Sequence, residues 1–175
     1  MSSTKGIDFS HLSLRDALDL AILIEEEAME RYMEFADQME MHHTPEAASF
    51  FRFMSANEAK HGADLSERRR TIFKDAPRSV TRSMIFDVEA PEYDQARAFM
   101  SPQQALMSAL RSEVKAHAFF VAALPQIQDP AVKTLFEELR DEEVQHKELV
   151  RKELATLPPD HGFDPDDFVD EPVAP

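Results

Sequence analysis

Four helix-like stretches of this chain each carry a glutamate in the middle of the apolar stripe, where a stable helical bundle would want leucine. In the first, Leu14, Leu18, Ala21, Ile22, Met29, Tyr32, Ala36 and Met39 keep helical spacing, and Glu25 falls among them. In the second, Ala47, Phe51, Met54, Leu65 and Ile72 form the stripe, with Glu58 and His61 at its centre. The third runs through Leu106, Ala109, Leu110, Phe120 and Leu124 and is interrupted by Glu113 and His117. The fourth, from Val132, Leu135, Phe136 and Leu139 to Val150 and Leu154, is interrupted by Glu143 and His146.

Buried carboxylates without compensation cost several kcal/mol each. The basic neighbours Lys60, Arg111, Lys115 and Lys147 are read as lying off the apolar faces, which disfavours pairing within the stripes. The alternatives are pairing with Lys or Arg, or helices rotated so that the glutamates face water; two divalent cations would neutralise four glutamates and are the favoured reading. The repeated Glu58-Ala59-Lys60-His61 and Glu143-Val144-Gln145-His146 fit this reading, because residues three apart share a helix face and can grip one ion together. The motif alone is weak: 19 Glu and 7 His give about 0.75 occurrences by chance. A third copy, Glu40-Met41-His42-His43, sits where a helix should end beside Thr44-Pro45 and is read as a surface coincidence.

The chain has 175 residues, enough for one domain with a sizeable core, and only 3 Gly. Helix-forming residues dominate its middle and no alternating strand pattern stands out, so the fold class is all-α. A net charge of −15 argues against nucleic acid and anionic membrane surfaces as partners. With no Cys, the chain itself holds no disulfide, thiolate metal site or iron–sulfur centre. The first residues show no apolar leader, and apolar runs such as Leu20 to Ile24 are too short to span a bilayer; a cytoplasmic location is the expectation.

Start signals place the helices. Ser13 with Asp16 opens the first near residue 14, and Thr44-Pro45-Glu46 opens the second, which runs to about Phe73. Ser101-Pro102-Gln103-Gln104 is a capping box for the third, and Asp129-Pro130 opens the fourth, ending near Leu157. Tight connections make the first and second, and the third and fourth, antiparallel hairpins. The stretch from Lys74 to Met100 is long enough to return along the whole bundle, giving two hairpins joined by a crossover, the topology of ferritin-like four-helix bundles. The bundle is expected over residues 1–157, and residues 158–175 read as an acidic, Pro-rich, flexible tail. Leu20 to Ile24 is apolar nearly all round, so either the crossover or a second subunit must cover the extra face; a homodimer is the expected assembly.

Over residues 12 to 157 the chain resembles the rubrerythrin branch of the ferritin-like superfamily, most specifically in Glu25-Glu26-Glu27-Ala28-Met29-Glu30-Arg31-Tyr32 and the two Glu-x-x-His segments. In that family a ligand Glu on the first helix is followed seven residues later by Tyr, which selects Glu25 with Tyr32; Glu113 and Phe120 keep the same interval. The resemblance implies two iron ions held by Glu25, Glu58, His61, Glu113, Glu143 and His146, with Glu58 and Glu143 bridging. Manganese or zinc would also suit this oxygen-rich set. Tyr32 would be a nearby hydrogen-bond donor or redox-active group, or simply core. The implied activity is a non-haem di-iron oxidoreductase acting on hydrogen peroxide or oxygen. The alternatives are an iron-storing or iron-transferring protein with ferroxidase chemistry, and a metal-stabilised structural bundle. Rubrerythrins proper add a Cys-ligated rubredoxin-type domain, absent here, so an external electron donor such as a rubredoxin-like protein is expected. Many also place a further Glu three residues after the third-helix ligand, where this chain has Ala116. The adjacent His117 is read as a core histidine, or else an accessory ligand or proton shuttle.

Overall fold

A computed structural model describes residues 7–41, 43–84 and 101–158. Four helices, α1 (Leu14–Met41), α2 (Pro45–Phe73), α3 (Pro102–Ala123) and α4 (Pro130–Thr156), account for most of them. Among the described residues there is no strand. The helices pair as α1 with α2 and α3 with α4, and α1 also touches α3 and α4. Both hairpin connections are a few residues long, so each pair is antiparallel.

The helix boundaries have local causes. The Ser13 hydroxyl accepts from the Asp16 amide at 3.2 Å and donates to its carboxylate at 2.7 Å, fixing the first turn of α1. At the other end, His43 takes a left-handed φ of 58°. Its amide bonds Glu40 O at 3.1 Å while the Thr44 amide bonds Met39 O at 2.9 Å, the paired pattern of a Schellman stop. Thr44 occupies the cap position of α2, but its side chain does not cap that helix as the sequence suggests. The hydroxyl donates to Met39 O instead, closing α1 rather than opening α2. Pro45, which lacks an amide hydrogen, reduces the need for a cap there. Ser101 and Gln104 form the expected reciprocal box at α3, and the Asp129 carboxylate accepts from the Ala131 and Val132 amides at α4.

The chain after α2 runs along α1. Ser79 bonds Asp16 and Asp19, Arg78 pairs with Glu26 at 3.1 Å, and Arg82 pairs with Glu30 at 2.5 Å. Val80 is buried and Met84 packs on the core. The extra apolar face of α1 is thus covered, at least in part, by the start of the crossover. The rest of the crossover, residues 85–100, and the tail beyond Pro158 lie outside the described residues.

Apolar packing falls into two clusters, not one. The first gathers Leu18, Ile22, Phe119, Phe120, Leu135, Phe136 and Leu139; the second gathers Tyr32, Phe35, Met39, Phe51, Met54, Leu106 and Val150. On every helix the mid-stripe glutamate falls between residues of one cluster and residues of the other. A polar layer therefore crosses the bundle at mid-height.

Two expectations about the stripes need correction. Ile72 is 49% exposed, and the buried position beyond Leu65 is Arg69, one turn on. An α-helix turns 3.6 residues per turn, so a stripe extended by sevens drifts off the core. Lys147, read as lying off the apolar face, is buried, one turn beyond Glu143. A lysine stem packs like an aliphatic chain, which the residue type alone does not reveal.

Candidate metal centre

The polar layer brings together all the residues singled out as ligands. Glu25, Glu58, Glu113, Glu143 and His146 are buried, Glu113 completely, and His61 is partly exposed. The His146 Nδ1 lies 3.3 Å from Glu58 Oε1 and 3.5 Å from Glu113 Oε2. The His61 Nδ1 lies 3.9 Å from both Glu25 Oε2 and Glu58 Oε2. The two imidazoles stack with centroids 5.3 Å apart and planes within 9°.

Three groups of donor atoms lie within 4.8 Å of one another: Glu58, His61 and His146; Glu25, His61 and Glu142; and Glu113, Glu143 and His146. Atoms so spaced can all touch one ion at the usual 2.0–2.4 Å, roughly. Glu142 was not among the residues singled out from sequence. Its signal was available: it lies three residues after buried Leu139 and four before His146, on the flank of the α4 stripe.

The electrostatics show what the layer lacks. Both carboxylate oxygens of Glu113 and the Nδ1 atoms of His61 and His146 are buried without a well-formed hydrogen bond. The ion pairs of Glu25 and Glu113 are to histidines, and among the described residues neither meets a Lys or Arg. Burial pushes Glu25 up to about 7, with the charges of Glu142 and Glu113 adding to it and hydrogen bonding to Glu58 opposing it. Burial pulls His146 down, but the hydrogen bond and charge of Glu113, with Glu25 and Glu142, outweigh it and leave His146 above its ordinary value. Burial and the charge of His146 draw His61 below its own. Unpartnered donors of oxygen and imidazole type, with a surplus of negative charge, fit divalent iron, manganese or zinc.

Tyr32 is buried and stacks on Phe51, ring centroids 6.1 Å apart, with no hydrogen-bond partner for its hydroxyl among the described residues. His117 is half-buried on α3 and belongs to none of the three donor groups. The decoy Glu40 is exposed and pairs with Arg52 at 2.8 Å, and His43 serves the turn described above.

A four-helix bundle of two hairpins, with Glu and His donors converging at mid-height, is the ferritin-like architecture. The sequence profile of the rubrerythrin family matches residues 16–92. A solved structure, that of an uncharacterised conserved protein from Magnetospirillum magnetotacticum MS-1, superposes with a TM-score of 0.69 at 30% sequence identity, covering 83% of this chain and 96% of that one. No curated protein matches the chain. The chain belongs to the rubrerythrin-like branch of the ferritin-like superfamily.

Proposed function

We propose that the chain is a non-haem di-iron oxidoreductase that reduces hydrogen peroxide or oxygen at the mid-bundle site. The observation that carries this reading is the buried layer itself, in which Glu113 and His146 hold donor atoms out of water with no Lys or Arg paired to Glu113 among the described residues. Iron bound there would supply electrons; with peroxide, two electrons and two protons convert one molecule into two of water. Glu25 and His61 would hold one position and Glu113, Glu143 and His146 the other, with Glu58, whose oxygens lie near both imidazoles, available to both. The two apolar clusters on either side exclude competing water. His61 and its neighbour Glu142 are partly exposed, and a small oxidant would enter from their side. Tyr32, two turns along α1 from Glu25, serves as a hydrogen donor near the site, since its hydroxyl is committed to no other group among the described residues. With no Cys in the chain, electrons come from a separate donor protein of rubredoxin-like type. A cytoplasmic location is part of this proposal; among the described residues no helix is long and apolar enough to cross a membrane.

The test is anaerobic loading with ferrous iron, elemental analysis, and absorption spectra before and after peroxide. About two irons per chain, oxidised by peroxide and restored by a reductant over repeated cycles, is the expected result. Uptake of many irons per chain would favour storage, and a tightly bound but redox-silent metal would favour a structural role. In Glu58→Ala the metal stoichiometry should fall; an unchanged value would remove Glu58 from the site.

A further inference from the structure

We propose that Glu142 is a fifth carboxylate ligand, bound to the ion held by Glu25 and His61. The inference rests on the two-ion reading above and adds a residue to it. Glu142 shares a donor group with Glu25 and His61, all within 4.8 Å of one another, and no Lys or Arg pairs with it among the described residues. The cluster is more than an accumulation of acid. The His61 Nδ1 in it has no hydrogen-bond partner, and His61 also belongs to a group with His146, whose unpartnered Nδ1 belongs to a residue only 4% exposed.

Helix geometry explains why α4 can supply both Glu142 and Glu143. Successive residues on an α-helix point about 100° apart, so adjacent side chains do not converge on one point. Here they diverge over the layer. Glu143 joins Glu113 and His146 on the buried side, and Glu142 joins Glu25 and His61 on the partly exposed side. The α3 position one turn beyond Glu113 is Ala116, fully buried and without a donor atom, so no further carboxylate reaches the layer from there. The extra carboxylate comes from α4.

The two ion positions are thereby unequal. The one at Glu25, His61 and Glu142 opens towards solvent, and the one at Glu113, Glu143 and His146 is sealed, with two carboxylates and one imidazole in each. The outer position should exchange its ion faster.

Titration with Co²⁺ under argon, followed by calorimetry and by the visible absorption of the bound ion, tests this without any turnover. The unsubstituted chain should take up about two ions in separable steps. In Glu142→Ala, a change that favours helix, one step should weaken by about 10- to 100-fold with an altered absorption band, while the other keeps both affinity and spectrum. Glu138→Ala removes an exposed charge one turn earlier, paired with Arg68 at 2.9 Å, and should leave both bands unaltered. If Glu142→Ala weakens a step but leaves its band unaltered, as through-space charge alone would, Glu142 is not a ligand. Two steps of undiminished affinity in Glu142→Ala would overturn the inference and leave the two-ion reading standing. Failure of the unsubstituted chain to bind two ions would overturn both.

Discussion

Asp19 and Glu25 lie six residues apart on α1, both carboxylates, both buried, and they meet opposite surroundings. Asp19 is held by the Arg69 guanidinium through two nitrogens and faces the Ser79 amide, and Arg69 also donates to Ala76 O at 2.9 Å. Glu25 has no Lys or Arg beside it among the described residues and faces His61, His146 and other carboxylates. One helix thus shows how this fold neutralises a buried charge from within, and where it leaves a charge for something from outside. The difference separates a structural ion pair from a binding site more sharply than burial does.

The comparison breaks most visibly at Arg69. Arg69→Ala strands Asp19 without its cation and should destabilise the chain by about 3–5 kcal/mol, read as a fall in the denaturant midpoint. Metal uptake at the mid-bundle layer should persist below the transition. Added metal should not restore the lost stability, since Asp19 stands about 9 Å along the helix from Glu25. Restoration would show that the two regions are not independent.

A smaller effect comes from Glu25. Its carboxyl titrates near 7 in the folded, metal-free chain against 4.5 as its ordinary value, so the folded state keeps a proton that the unfolded chain has released. This contribution is complete below about pH 4.5 and is lost as pH rises through 7, on the order of 3 kcal/mol in all. His146, raised, acts in the same direction; His61, lowered, acts against it. Unfolding of the chelator-treated protein at a series of pH values reads the slope. Glu25→Gln should flatten it, and an identical slope in that variant would assign the proton elsewhere. The smallest effect belongs to Glu40→Ala. That glutamate is exposed and paired with Arg52, so stability should stay within about 0.5 kcal/mol and metal uptake should not change.

Much of this was legible before any coordinates. The mid-stripe glutamates and the paired Glu-x-x-His segments led to six of the seven residues that the three donor groups gather, because a helix face is a simple function of spacing. Proline and cap residues placed the helix starts within a residue or so. The failures share another cause. Glu142, Arg69 and Lys147 are polar residues that the fold partly or wholly buries, and residue type argues for the surface in each case. Thr44 misled because a hydroxyl between two helices can serve either one, and only the path of the turn decides which.

The division of the core into two apolar clusters bears on how the bundle holds together. A helical bundle with one continuous core is most secure in its middle and frays towards its ends. Here the middle is where like charges face one another, and the cohesive contacts lie above and below. The ions that complete the layer would therefore act as a keystone, turning two separately packed halves into one cooperative unit. Metal supply would then govern how firmly the helices stay closed around the layer.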